Sequence, residues 1–399
     1  MKIKTYASTV SGVVKAITSK SYAHRAMICN YYATGKTSID GVLPSADVRA
    51  TEACLCAIKN GGVLDAGESG STLRFLIPVV SAIGGDYTFK LHGKLKDRPN
   101  EELFSALKSH GVKACQTGDL IKISGKLTSG EFLIRGDISS QYITGLMLAL
   151  PLIKGDSVIV PTTPLVSTPY IDITIDVLKD YGVNVVKKDG KFFIKGEQTF
   201  KGNSQVEGDW SNAGFFLVAG AIAGEVTVTG LNKNSKQGDK VIVEVIKSAG
   251  AIVTQTDDAV TVKSANLKPF TFDAEDCPDI VPICAVLGAC ANGVSTIKNI
   301  SRLKIKESDR VLSTITLLKT LGVDATSDGV DMQIFGNGGN FSGGTVSSFN
   351  DHRIAMAGAI AGLKCKNPLI IDGAEAVNKS YPTFFEDYLS CGGKADDNF

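Results

Sequence analysis

Arginine is scarce in this chain: only 8 of its 42 basic side chains are Arg, at positions 25, 49, 74, 98, 135, 302, 310 and 353, and the rest are Lys. There is one Trp and there are only four His. None of the nine Cys forms a C-x-x-C pair, Cys54 and Cys56 being spaced C-x-C. A zinc ribbon or a dithiol redox motif is thereby excluded, and the thiols are expected to be reduced. Neither charge sign dominates. With 42 basic and 41 acidic residues the net charge is +1, too balanced for a protein held to nucleic acid by its overall field. The longest nearly apolar run, 213–224, cannot span a bilayer. The start, MKIKTYASTVSG, has two lysines and no apolar segment after them, and GGKADDNF at the end carries no lipidation box. The expectation is a cytoplasmic protein that binds no membrane. Disorder is excluded by a composition of 43% apolar and 21% charged residues.

What the chain does have is length for two or three domains, 399 residues, and an internal repeat. A short polar opener leads into an apolar helical run six times: SKSYAHRAM at Ser19, ESGSTLRFL at Glu68, DISSQYITG at Asp137, DWSNAGFFL at Asp209, DCPDIVPIC at Asp276 and NDHRIAMAG at Asn350. A second amphipathic run follows each, ending at Gly61, Gly111, Gly182, Gly250, Gly322 and Gly392. Counted from Ser21, Gly70, Ser139, Ser211, Pro278 and Asp351, the offsets are 40, 41, 43, 39, 44 and 41. In ITIDVLKDYGVNV, Ile173, Val177 and Leu178 share a helical face and Gly182 sits where the helix should end. VNVVKKDGKFFIKG predicts a hairpin turning at Asp189-Gly190, and GAIVTQTDDAVTVKS repeats it. The unit is therefore βαβαββ. Six of them predict an α/β protein of two domains with three repeats each, residues 19–207 and residues 1–18 with 208–399, the first 18 residues pairing back into the second domain. Two chain crossings make a hinge that ligands should close.

Ser, Asp or Asn before each apolar run is N-cap chemistry, and helix N-termini offer free N–H groups and a positive dipole end. Openers related by repetition should cluster. No opener is decisive alone. Lys20, Ser21 and Arg25 place two cations and a hydroxyl on one turn. Glu68-Ser69-Gly70-Ser71 allows a ligand close to the backbone at Gly70. Ser139, Ser140 and Gln141 exceed what a cap requires, and Lys306-Glu307-Ser308-Asp309-Arg310 packs four charges into five residues. Asp279 follows Pro278, and Asn350-Asp351-His352-Arg353 runs straight into a buried-type helix. Together they predict a cleft between the domains for a small, multiply charged anion, with Arg retained for its phosphate- and carboxylate-matching fork.

SKSxxxR, DxSSQ, KESDR and NDHRxAMA, in this order and spacing, resemble the 5-enolpyruvylshikimate-3-phosphate synthase family over about residues 8 to 390. The resemblance implies an inverse α/β barrel fold of two three-repeat domains with the active site in the interdomain cleft. It implies transfer of the enolpyruvyl group of phosphoenolpyruvate to the 5-hydroxyl of 3-phosphoshikimate, in the shikimate pathway to aromatic amino acids. Lys20, Ser21, Arg25, Ser139, Ser140, Gln141, Ser167, Tyr170, Asp279 and Lys306 would hold 3-phosphoshikimate. Lys20, Gly70, Arg98, Gln141, Arg310, Arg353 and Lys379 would hold phosphoenolpyruvate, whose place glyphosate would take. Asp279 would accept the hydroxyl proton, and Glu307 and Lys20 would move protons at the methylene carbon. No metal, cofactor or nucleic acid is implied, and the enzyme would be a monomer acting on two small molecules. Glu68 and Phe75 stand where many members have Asn and Pro, and Arg302 and Lys304 replace a common Asn and Arg. Two rivals remain at this stage: a UDP-N-acetylglucosamine enolpyruvyl transferase, whose functional Cys in a Gly-rich loop before Arg-Pro has no counterpart in HGKLKD before Arg98-Pro99, and a non-catalytic binding protein for a phosphorylated metabolite.

Overall fold

Each opener does start a helix in the computed structural model, which describes residues 1–60 and 62–397. Gly61, one of the six repeat glycines, lies outside the described residues. The helices are Lys20–Thr34, Gly70–Ile83, Ser140–Ala149, Trp210–Ala223, Val281–Ala289 and His352–Gly362. Ser69, Ser139, Asp209 and Asp351 cap theirs with the side chain, accepting from Thr72, Gln141, Asn212 and Arg353 backbone N–H groups. The fifth departs from expectation. A 3-10 turn, Pro278–Ile280, leads into its helix, so Asp279 stands in that turn with its carboxylate committed elsewhere.

The second runs form Ala46–Asn60, Glu101–Lys108, Thr168–Asp180, Ile242–Ser248, Arg310–Thr320 and Phe384–Ser390. Gly111, Gly182, Gly250, Gly322 and Gly392 follow the last five with φ between 73° and 94°. That left-handed geometry costs a residue with a Cβ about 1–2 kcal/mol. The hairpin Val185–Lys188/Lys191–Ile194 turns at Asp189 and Gly190, both with positive φ.

The chain divides into two compact units, residues 18–206 and residues 1–17 with 207–399, the joins falling one residue before those expected. Each has its own apolar core. The sheets are open and four-stranded, and all share one pattern: a parallel outer pair, then two antiparallel strands. In 18–206 these are Leu64–Asp65, Gly85–Lys90, Leu120–Gly125, Val112–Thr117, and Glu131–Ile134, Ser157–Pro161, Lys191–Ile194, Val185–Lys188. In the other unit, Val10–Lys15 pairs in parallel with Gly224–Thr229, and Lys2–Tyr6 lies antiparallel between Leu369–Asp372 and Lys394–Asp396. The third sheet there is built on Asn292–Lys298.

Five such sheets occur among the described residues, not the six that six equal repeats predict. The first repeat has its two helices but no ladder of its own. Between them TGKTSIDGVLPS is dense in turn-forming residues. Its backbone is tied instead by side chains, Asn30 Nδ2 donating to Ser38 O (3.1 Å) and Leu43 N to Thr18 Oγ1 (2.8 Å).

Candidate active site

The expected residues fall into two sets, one in each unit. In 18–206 the hub is Arg25. Its side chain is buried, 2% exposed, one turn into helix Lys20–Thr34. Nε donates to Thr174 Oγ1 (2.8 Å), Nη1 to Ser21 O (2.6 Å), and Nη2 to Tyr170 O (3.0 Å) and Thr144 Oγ1 (3.3 Å). The guanidinium carbon lies 4.8 Å from the Phe75 ring centroid. Every one of these acceptors is neutral, and among the described residues no carboxylate pairs with Arg25. Burial accordingly lowers its pKa to about 10. A buried cation with only neutral acceptors has uncompensated charge for an anion to meet.

Around it stand the other openers. Ser139 caps the helix that begins with Ser140, accepting from Gln141 N (3.3 Å). Gln141 is fixed at both ends of its amide: Nε2 donates to Ser71 Oγ (3.1 Å) and Oε1 accepts from Arg74 Nη1 (2.8 Å). Arg74 also donates to Asn100 Oδ1 (3.2 Å) and Pro99 O (2.8 Å). Gly145 lets these two helices touch, since a Cβ there would stand 2.3 Å from Arg74 O. Gly70 faces Arg98: a Cβ on it would lie 2.6 Å from Arg98 Nη1. The Arg98 Nε is buried with no hydrogen-bond partner. Ser167 holds φ 54°, ψ 42° at the head of helix Thr168–Asp180, a left-handed conformation that a non-glycine residue adopts at a cost of about 1–3 kcal/mol, most often at functional positions. Lys20 Nζ pairs with Asp47 Oδ2 at 2.7 Å.

In the second unit the hub is Arg310, 1% exposed. Nη1 meets Asp279 Oδ1 (2.7 Å), Nη2 meets Glu307 Oε2 (2.7 Å), and Nε meets Asp351 Oδ2 (2.8 Å). All three nitrogens are thus committed to carboxylates, and the guanidinium's pKa is driven well above its ordinary value by Asp351, Glu307 and Asp279, against the opposing effect of burial. Asp279 also faces Arg353 Nη2 (3.5 Å) and Lys306 Nζ (3.7 Å). Burial opposes its ionisation, but Lys306, Arg310 and Arg353 outweigh it and hold Asp279 well below the usual carboxylate range. Lys306 is lowered to about 8 by burial, which Asp279 partly offsets. Arg353 is 2% exposed, and its Nε and Nη1 are buried without hydrogen-bond partners. Lys379 Nζ donates to Asn350 O (2.6 Å). Phe349 and Asn350, just before the Asp351 cap, both have left-handed φ, 53° and 55°.

Each set can therefore bind anions, and the second also presents a carboxylate that stays ionised at neutral pH. Among the described residues no group of three His, Cys, Asp or Glu could hold a metal, and no helix is long and apolar enough to cross a membrane. Four residues escaped the sequence reading. Asp47 and Asn100 act through contacts between helices distant in sequence, with no local pattern to mark them, and Arg74, though it stands in an opener and among the eight arginines, shows its partners only in the fold. Asp239, in Gln237-Gly238-Asp239, is buried and accepts a short hydrogen bond from Ser211.

Residues 4–62 and 56–388 match the profile of the family EPSP synthase (3-phosphoshikimate 1-carboxyvinyltransferase). The 3-phosphoshikimate 1-carboxyvinyltransferase of Clostridium kluyveri is 40% identical, covering 97% of this chain and 96% of that protein. That of Clostridium novyi is 39% identical over 99% and 98%. The structure of EPSP synthase from Acinetobacter baumannii superposes with a TM-score of 0.82 at 25% identity, over 99% of this chain and 100% of that one. The enolpyruvyl transferase NikO from Streptomyces tendae, 16% identical with a TM-score of 0.77, shares the fold over 99% and 98%.

Proposed function

The chain belongs to the EPSP synthase (3-phosphoshikimate 1-carboxyvinyltransferase) family, and from that premise we propose how its residues divide the transfer of an enolpyruvyl group from phosphoenolpyruvate to the 5-hydroxyl of 3-phosphoshikimate. Arg25, Lys20, Ser21, Ser139, Ser140, Ser167, Tyr170, Gln141 and Lys306 hold 3-phosphoshikimate. Gly70, Arg98, Arg353 and Lys379, with Lys20 and Gln141, hold phosphoenolpyruvate. Arg310 was expected to touch phosphoenolpyruvate. Its three carboxylate partners assign it a different first task, fixing Asp279 and Glu307, so any contact with substrate is made by a guanidinium already held in place.

Asp279 accepts the 5-hydroxyl proton as the hydroxyl oxygen bonds to carbon 2 of phosphoenolpyruvate, while carbon 3 takes a proton from Lys20 or Glu307. Elimination reverses that proton movement at carbon 3, breaks the carbon 2–oxygen bond to phosphate and leaves the enolpyruvyl ether. Asp279 is a weak base in the free protein because three cations surround it. Substrate anions at Lys306 and Arg353 would offset those cations and raise its proton affinity when the hydroxyl arrives. Developing positive charge at carbon 2 is stabilised by carboxylates, and the departing phosphate by Arg and Lys.

The observation that carries this reading is Arg25, a buried cation hydrogen-bonded only to neutral oxygens. Arg25→Gln keeps a donor and removes the charge. Calorimetric titration should show 3-phosphoshikimate binding weakened by about 10–100-fold, the range of a lost hydrogen bond to a charged group. Unchanged affinity would remove Arg25 from the site.

A further inference from the structure

We propose that His24 is a positioning residue which, acting through Thr51 and Thr72, holds the Ser69–Gly70 turn in its binding geometry. The inference rests on the reading of Gly70 as part of the phosphoenolpyruvate site.

Four buried side chains form a continuous chain across three helices. His24 Nδ1 lies 2.7 Å from Thr51 Oγ1, Thr51 Oγ1 lies 2.7 Å from Thr72 Oγ1, and Thr72 Oγ1 donates to Ser69 Oγ at 2.7 Å. His24, Thr51 and Thr72 are fully buried and Ser69 is nearly so. The chain runs beside the Lys20–Asp47 ion pair. His24 is one turn beyond Lys20 on its helix, and Thr51 is one turn beyond Asp47 on the next, so the two helices are joined by two rungs. Thr72 is close to both rungs, within 3.4 Å of Asp47 O as well.

A buried histidine that only fills space would be matched by an apolar residue at lower cost, because its Nε2 has no hydrogen-bond partner. What distinguishes it is the direction of the chain. Burial, with Lys20 and Arg25 nearby, keeps the ring neutral, so it carries one N–H. Placing that hydrogen on Nε2 would orphan a buried donor, whereas placing it on Nδ1 orphans only an acceptor, the better tolerated of the two. His24 Nδ1–H then donates to Thr51, Thr51 to Thr72, and Thr72 to Ser69. Ser69 Oγ also accepts Thr72 N–H (3.2 Å), the helix cap. Every donor therefore points the same way, towards the turn, and its polarity adds to the dipole of helix Gly70–Ile83. Arg25 is anchored independently of this chain, by Thr174, Thr144, Tyr170 and Ser21.

The test compares His24→Leu, which removes the donor, with His24→Asn, which keeps an N–H near the Nδ1 position, and Thr72→Val with Thr72→Ser. Steady-state KM for each substrate is measured for all four and for the parent. His24→Leu and Thr72→Val should raise the phosphoenolpyruvate KM by about 5–50-fold, the cost of a broken buried hydrogen bond, with the 3-phosphoshikimate KM within about twofold. His24→Asn and Thr72→Ser should recover most of that loss. The proposal is overturned if both KM values rise together, if neither moves, or if the rescuing variants behave like the disabling ones. An inactive parent would instead overturn the reading of the site.

Discussion

Gly70 shows how little room separates the turn from its neighbours. A methyl there would meet the Arg98 guanidinium at 2.6 Å, so Gly70→Ala must displace a side chain proposed to hold phosphoenolpyruvate. Overpacking of about 1–3 kcal/mol should raise the phosphoenolpyruvate KM roughly fivefold or more. The inhibition constant of glyphosate, a longer molecule expected from the family resemblance to take the same place, should rise further still. An unchanged ratio of the two constants would mean that Gly70 does not line the site. Asp239 gives a second test, this time through stability. Burial, then the charge of Asp279, pushes its carboxyl up from 3.8 to about 7. A carboxyl with a raised folded pKa binds its proton more tightly in the folded protein, so its contribution to stability falls as pH rises from about 4 to 7 and stays lost above that. Asp239→Asn should therefore melt above the parent at pH 8.5, by roughly 2–4 °C per kcal/mol recovered, and the gap should close towards pH 4. A pH-independent difference would show that Asp239 does not titrate between those limits. These residues also mark what sequence could reveal. Arg25, Gly70 and Asp279 announce themselves by their place in an opener. Of the partners that decide their state, Arg98 lies in the same repeat as Gly70 and Arg353 in an opener of its own, and only Thr174, from the second run of another repeat, carries no local mark.

Helix ends were the most legible elements, because their chemistry is local. Caps at Ser69, Ser139, Asp209 and Asp351 and left-handed glycines after five second helices follow from the sequence alone. Gly182→Ala puts a Cβ into φ 73° and against Lys201 Cγ at 3.3 Å. It should lower Tm by about 2–8 °C and leave kcat at 25 °C unchanged; a Tm equal to the parent's would mean that the helix end relaxes freely. The two failures at this scale have separate causes. The fifth helix begins through a 3-10 turn because the Asp279 carboxylate is drawn to Arg310. The first repeat lacks a sheet because only six residues separate Gly61 from Glu68, against 25–27 between the corresponding positions of the next four repeats, which leaves no chain for the hairpin those repeats form. Only at the fifth helix does a tertiary partner override a pattern that neighbouring repeats obey.

For the whole molecule, the repeat arithmetic anticipates two units, and the N-terminal strands join sheets of the unit that holds 207–399. Each unit concentrates the expected residues about one buried arginine, but with opposite surroundings. Arg25 meets only neutral acceptors, whereas Arg310 is saturated by carboxylates. Both arrangements have positive charge to offer an anion, Arg25 in one and Arg353 in the other, and the second also fixes the carboxylates proposed to move protons. An anion-binding protein needs the first alone, and an enolpyruvyl transferase needs both. The most direct measurement is release of inorganic phosphate from phosphoenolpyruvate with 3-phosphoshikimate, with UDP-N-acetylglucosamine and without an acceptor, each repeated with a metal chelator. The account predicts sustained release with 3-phosphoshikimate alone, undiminished by the chelator. Absence of release with 3-phosphoshikimate, or equal release with UDP-N-acetylglucosamine, would contradict it.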